Sequence, residues 1–303
     1  MILATLVTFK EKLQLIMILT CVGIFDGDEN HNEEILEESI MTTLNTNQKE
    51  FAKALYNADL TGNPLVEADW KGVVEDDETA YAVQDEVMKL KGVPVGGYKV
   101  SLTSRQTQDM FAADSPLYGQ QVNRKFLPAP STVKLGNLMD PLVEVELAFR
   151  ATADLTSEDS LEDLLRKTTV AGALEVPDSR FKEWFPSLGK YNVMADCAVG
   201  GLVVYGNEVP STNVFSAVTD VATVNAELFF NDVKLDEGNS KEVLGNPLKS
   251  LQWLVGKLEE QGKQFKQGQL VSSGTFVLPP HLKKGHWQVK FDHHLGNVDL
   301  TVN

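Results

Sequence analysis

The chain has 303 residues, 43% hydrophobic and 23% charged, which suits one large globular domain or a domain with a small appendage. With 27 Lys and Arg against 43 Asp and Glu, its formal charge is −16, which argues against nucleic acid or an anionic membrane as a partner. Two cysteines, Cys21 and Cys197, make neither a disulfide framework nor a metal finger, so both are read as free thiols in a reducing, cytoplasmic compartment; the five histidines have no HExxH or other tight ligand spacing.

Residues 1–40 differ in character from the rest of the chain. "LQLIMILTCVGIF" (13–25) is an apolar run after Lys10 and Lys12, short for a membrane span and without a small-x-small cleavage site. "ILTC" before Cys21 matches a lipoprotein signal weakly. An acidic stretch comes next, so the forty residues hold eight acids and two lysines. They are read as an extension outside the fold; an export or anchoring signal and a helix packed on the core are the alternatives. Met41 then opens "MTTLNTNQKEFAKALYNA", which reads like the start of a soluble enzyme, and 41–303 is taken as a single catalytic domain.

Helical spacing of Phe51, Leu55 and Tyr56 predicts a helix over 47–58. A second is predicted over 76–92, with acids in its first turn, lysines in its last and Gly92 as its cap. "GYKVSLT" reads as strand, and 104–114 as a helix capped by Ser104. From residue 138 the pattern is β-rich. "VEVELAF" (143–149) alternates strictly, "SEDSLEDLLRKT" is a short helix, and 170–176 and 200–206 are apolar strands. "AELFFNDVKLDEG" is a hairpin turning at Asn231-Asp232. Residues 246–263 form the strongest helix, with Pro247 in its first turn and Leu248, Leu251, Leu254 and Leu258 on one face. "WQVKFDHH" and "NVDLTV" close the chain as strands. Helices first, then strands around one long helix, point to an α+β fold with a mixed β-roll or barrel core.

Glu144 and Glu146 are the clearest chemical signal. Alternation along a strand puts both on one face, about 6.6 Å apart, within reach of one hard cation. A solvent-facing strand with two acids is the plain alternative. Glu175 ends a run of small and apolar residues, so a third carboxylate on a buried strand would complete an oxygen-only site for Mg²⁺ or Mn²⁺. Lys99 is either an exposed strand lysine or a functional group. In the second case it is an ammonium beside an anionic substrate, or an amine whose pKa burial lowers. "SSGT" (272–275) is a plain loop or a turn offering backbone donors to an anion. His293-His294 has no partner pattern and is left on the surface.

Taken together, several segments from Met41 to Asn303 resemble the 2-keto-4-pentenoate hydratase and 4-oxalocrotonate decarboxylase family, within the fumarylacetoacetate hydrolase superfamily. They are the glycine-aromatic-lysine segment with its "LTS", Pro116 to Gly119, "EVELAF", "ALEVPDSR", the "AD" before the glycines at 195–201, "LGNPL" and "G-x-LVSSGT". The resemblance implies the superfamily's C-terminal β-roll with an N-terminal helical region. It implies one divalent metal, Mg²⁺ or Mn²⁺, on Glu144, Glu146 and Glu175, and Lys99 as the active-site lysine. The substrate it implies is a 2-oxo acid or its enol, with Leu117, Asp196, Ser273, Gly274 and Thr275 as substrate-contact candidates. A homo-oligomer, and a partner enzyme of the same pathway, are further implications.

The activity implied is a lyase: hydration of an unsaturated 2-oxo acid first, decarboxylation of 2-oxo-3-hexenedioate next. An acylpyruvate-type hydrolase and an inactive 2-oxo-acid-binding homologue are the other classes. Four positions depart from the family pattern. Hydratases carry an aspartate in a Pro-Asp-aromatic-Gly segment, and here that position is Leu117, as in the decarboxylase branch. Ser101 replaces a glycine, Cys197 an asparagine and Asn246 a histidine.

Overall fold

In the computed structural model, which describes residues 42–303, each helix starts and stops where its caps dictate. The extension expected over 1–40 lies outside the described residues. Helix α1 (Thr46–Thr61) opens on a capping box between Asn45 and Gln48 and ends on left-handed Gly62. Helix α2 (Asp77–Lys91) is capped by Asp76 and ends on left-handed Gly92. The two pack together, burying Phe51 and Leu55 from one and Val83 and Val87 from the other. This is the expected N-terminal helical region.

Strand β1 (Val95–Ser101) comes next, then α3 (Arg105–Met110), with Ser104 as its cap. Helix α3 stops short of the expected residue 114 because Ala112 turns left-handed, at φ 49°. The chain continues through β2 (Leu117–Val122), β3 (Phe126–Pro128), β4 (Ser131–Val133), β5 (Glu144–Ala151), α4 (Leu161–Arg166) and β6 (Thr168–Val176). Helix α5 (Lys190–Ala195) has no periodicity long enough to read from sequence. Strand β7 (Leu202–Tyr205), β8 (Val209–Pro210) and α6 (Ser211–Val214) lead to the hairpin β9 (Asn225–Phe230) and β10 (Val233–Asn239). Asn231 and Asp232 turn it with φ of 48° and 66°, the conformation a two-residue turn requires. Helix α7 (Pro247–Glu260), β11 (Leu270–Ser272), β12 (Gly285–Phe291) and β13 (Gly296–Val302) complete the chain. The strand expected to run to His294 ends at Phe291, because His293 and His294 are left-handed and form the turn into β13.

The strands make two mixed sheets, so the fold is α+β with a rolled β core. One sheet runs β2-β1-β11-β5-β6-β7-β3, with β8 alongside β6; the other runs β10-β9-β12-β13-β4. Pairs β1–β11, β3–β7 and β4–β13 are parallel, and the rest are antiparallel. The main core forms on the face bearing Val145, Leu147 and Phe149 of β5, Val143 just before it, and Val170, Leu174 and Val176 of β6. The second sheet meets this side: a Cβ on Gly172 of β6 would lie 2.4 Å from the Phe291 ring. The opposite face of the first sheet is the interior of the roll. There a smaller apolar cluster of Phe126, Ala148, Ala173, Val203 and Leu270 fills one part.

Gly119 of β2, opposite Lys99, faces the carbonyl of Cys197, and a Cβ there would lie 1.8 Å from that oxygen. No side chain fits without moving backbone. Gly119→Ala is expected to lower stability by about 3 kcal/mol, measured by urea denaturation.

Candidate metal centre and active site

Pairing register assembles the site. Lys99 lies between Gly119 of β2 and Ser272 of β11, and Ser272 pairs with Ala148 of β5. On the next pair, Glu144 stands opposite Glu175 and Glu146 opposite Ala173. Cross-strand partners share a face, as do alternate residues of one strand. Lys99, Ser272, Glu144, Glu146 and Glu175 therefore all point into the roll. Small residues, Ala148 and Ala173, flank the acids and leave them room.

Carboxylate oxygens of Glu144, Glu146 and Glu175 lie within 4.8 Å of one another. Glu146 and Glu175 are 1% exposed; the Glu144 side chain, at 15%, is the accessible one. Lys99, 2% exposed, makes an ion pair with Glu175 Oε1 and stands 3.9 Å from Glu144. Ser272 Oγ donates to Glu175, and the Gly274 N–H donates to Glu146 at 2.8 Å. The backbone donor expected for an anion in "SSGT" is thus spent on a carboxylate of the chain. Gly274 sits at φ 120°, where a Cβ would lie 2.2 Å from Thr103 Oγ1.

Three acids face one ammonium, and burial makes that imbalance costly. Burial raises Glu144 to about 7 against the pull of Lys99, with Glu175 adding repulsion. Glu146 is pushed well above the carboxylate range by burial and by its two acidic neighbours. For Lys99, burial favours the neutral amine, but Glu175 and Glu144 outweigh it, and its pKa lies above the ordinary value. Burial alone acts on Lys99 in the expected, lowering direction, and the neighbouring acids turn the net direction upward.

A divalent cation fits this donor set. All donors are carboxylate oxygens, and Glu175 Oε1, though touching Lys99, is buried without a well-formed hydrogen bond. Three carboxylates, one ammonium and a dication sum to zero charge.

A cavity opens from this cluster. Lys99, Ser101, Thr103, Glu144, Glu146 and Thr275 form its polar end. Met110, Phe111, Trp184, Phe185, Leu278 and Pro279 form much of the rest. Sequence reasoning missed these six because they sit on the end of α3 and on separate loops with no shared periodicity. It also missed Ser272, whose signal is alternation: it shares a face with Lys99 once β11 is paired to β1.

Other candidates lie elsewhere. Leu117 is buried on the Lys99 face of β2, opposite Ser101, and is not on the cavity wall. Ser273 donates to the Leu147 carbonyl. Thr275 reaches the wall, with its hydroxyl donating to the Val277 carbonyl at 2.9 Å. Asp196 is not in the cavity; it is ion-paired to buried Arg180. That guanidinium also donates to the carbonyls of Asp196 and Gly200, at 2.6 and 2.7 Å. Between them Cys197, Ala198 and Val199 are all left-handed, with φ of 52°, 53° and 49°. Arg180 thus clamps both ends of a strained turn whose Val199 lines the cavity. Burial raises the Cys197 thiol to about 11, so it is an inert packing group.

No family model matches the chain. It is 30% identical over 231 residues to 2-keto-4-pentenoate hydratase 1 of Dechloromonas aromatica (strain RCB), covering 74% of this chain and 85% of that protein. Among solved structures, 4-oxalocrotonate decarboxylase from Pseudomonas putida G7, complexed with magnesium and adipate, superposes with a TM-score of 0.78 at 23% identity, covering 87% of this chain and all of the other. Fumarylpyruvate hydrolase from Pseudomonas aeruginosa, in complex with Mn²⁺ and pyruvate, gives 0.53 at 14% identity over 68% of this chain and 88% of that one. These likenesses show a shared fold.

Arg180→Leu leaves Asp196 buried without its partner and releases the turn. A stability loss of about 3–5 kcal/mol is expected in urea denaturation.

Proposed function

The chain belongs to the 2-keto-4-pentenoate hydratase family, and on that footing we propose that it is a divalent-metal-dependent lyase acting on an unsaturated 2-oxo acid or its dienol. One observation carries the reading. Three carboxylates converge within 4.8 Å on the same interior face as a buried lysine, at the end of a cavity. Glu144, Glu146 and Glu175 would hold Mg²⁺ or Mn²⁺. When bound, the cation supplies Lewis acidity toward the carboxylate and C2 oxygen of a 2-oxo acid.

The remaining steps fall to the chain. Lys99 keeps a positive charge beside the acids and offsets negative charge that develops on the C2 oxygen whenever an enolate forms there. With a 2-hydroxy-2,4-dienoate, ketonisation moves the hydroxyl proton to solvent and delivers a proton to C5. The C3–C4 double bond of the resulting 2-oxo acid is electron-poor; the hydroxyl of water adds at C4, the displaced electron pair moves onto the C2 oxygen as an enolate, and a proton then returns to C3. The apolar wall of Phe111, Trp184 and Phe185 limits bulk water around the reacting chain.

Decarboxylation of 2-oxo-3-hexenedioate is the second reading, and Leu117 favours it. That side chain is 2% exposed on the Lys99 face, where hydratases place an aspartate, and it cannot exchange a proton. We further propose that the protein is cytoplasmic and works as a homo-oligomer, with a partner enzyme of the same pathway as its neighbour. Support for copies assembling comes from edge strand β10, where Val233 and Leu235 are 63% and 47% exposed. Light scattering should give a mass that is a multiple of the 33.4 kDa chain. Among the described residues, no helix is long and apolar enough to cross a membrane.

With Mg²⁺ or Mn²⁺ present, the protein should consume 2-hydroxypenta-2,4-dienoate, seen as loss of dienol absorbance, or release CO₂ from 2-oxo-3-hexenedioate. Turnover of neither would sink the lyase reading. Glu144→Ala should abolish calorimetric metal binding and reduce turnover by at least about 1000-fold. Activity surviving that change would show the site to be misassigned.

A further inference from the structure

We propose that this site selects a 2-oxo acid or dienol whose far end is uncharged and apolar, a monocarboxylate with an alkyl or aryl substituent, over the corresponding dicarboxylates. The proposal deepens the lyase reading and rests on its placement of the substrate's carboxylate and C2 oxygen at the acidic end of the cavity.

Charge around the cavity is one-sided. Among the described residues, Lys99 is the only basic side chain on the wall, and it is engaged by Glu175 and Glu144 at the reacting end. Arg105, close by in sequence, is turned outward, with 80% of its side chain exposed and an ion pair to Asp109 at 2.9 Å. Among the described residues lining the wall, no cation is left to receive a second carboxylate.

Hydroxyls do not replace one. Thr107 Oγ1 donates to the Ser104 carbonyl, and Thr275 Oγ1 to that of Val277. Ser101 and Thr103 belong to β1 and its immediate continuation, beside Lys99. Beyond them the wall is Phe111, Trp184, Phe185 and Pro279, and the Trp184 indole N–H is already bonded to the Asp140 carbonyl.

Two apolar side chains on the cavity wall remain in water. Met110 is 38% exposed and Leu278 47%. An apolar substituent placed between them removes apolar surface from water on both sides of the contact. A carboxylate placed there loses hydration and gains no partner, so it is penalised rather than merely unrewarded. Phe111, Trp184 and Leu278 are on this view the specificity-determining residues.

The test is calorimetric titration of the full chain, loaded with Mg²⁺, using 2-oxohexanoate and 2-oxohexanedioate, which differ only in a terminal methyl against a terminal carboxylate. The monoacid is expected to bind at least about 50-fold more tightly. Equal or tighter binding of the diacid overturns the proposal, and so does failure of both to bind. Leu278→Lys, a change at an exposed position, should tighten the diacid about tenfold and weaken the monoacid by about threefold or more, since the apolar contact is lost. An unchanged diacid affinity in that variant also overturns it. Because selectivity is read from binding, a protein that prefers the monoacid yet turns over no dienol would lose the lyase reading and keep this one.

Discussion

Glu144 and Glu175 stand directly opposite one another on adjacent strands, facing the interior of a rolled sheet. Like charges in that arrangement destabilise a sheet, and burial magnifies the effect. The chain meets the cost with an ammonium from a third strand, a serine hydroxyl from a fourth and a backbone N–H beyond it. These leave an excess of negative charge, which a divalent cation would balance. The β5–β6 register is therefore a buried electrostatic strain, and it brings together the acids proposed to hold the cation.

Keeping that register requires the roll to be packed from both sides. On the outer face, bulky side chains of β5 and β6 meet the second sheet. On the inner face, Ala148 and Ala173 join Phe126, Val203 and Leu270 in an apolar plug that fills the roll beyond the acids. Gly119 lets the Cys197 carbonyl approach β2 opposite Lys99, and Arg180 holds that left-handed turn at both ends. Arg180 and Asp196 thus shape the cavity without entering it. A shift of this turn would move Val199 in the wall and the backbone packed opposite Lys99.

The cavity joins two chemistries. Its polar end concentrates charge on strands, where the ladders restrict movement. Its apolar end comes from loops, including the segment after α3 and the one after β11. The apolar end, with Phe111, Trp184 and Leu278, bears on the choice between hydration of a monoacid and decarboxylation of a diacid. Leu117 bears on the same choice from the opposite direction, since it removes a proton-exchanging group from the Lys99 face.

Local pattern carried much of the fold in advance. Both N-terminal helices, the Gly92 cap, the Asn231-Asp232 turn and the long helix α7 arise from signals a few residues wide, because caps, turns and amphipathic faces are local physics. Alternation alone was enough to put Glu144 and Glu146 on one face. It did not say which face was buried, and a lone lysine in a strand gave no such sign either. Burial of Lys99, its partnership with Glu175 and the orientation of Ser272 exist only once β1, β11, β5 and β6 are aligned, over separations of up to about 170 residues. The wall that selects the substrate's far end comes from three loops, and the role of Asp196 as the anchor of Arg180 depends on a turn no periodicity announces. Amino-acid order by itself determined the local elements and the donors that one cation would need. Which groups meet, and which are hidden from water, was decided by strand register and loop packing, because charge balance and desolvation depend on neighbours in space.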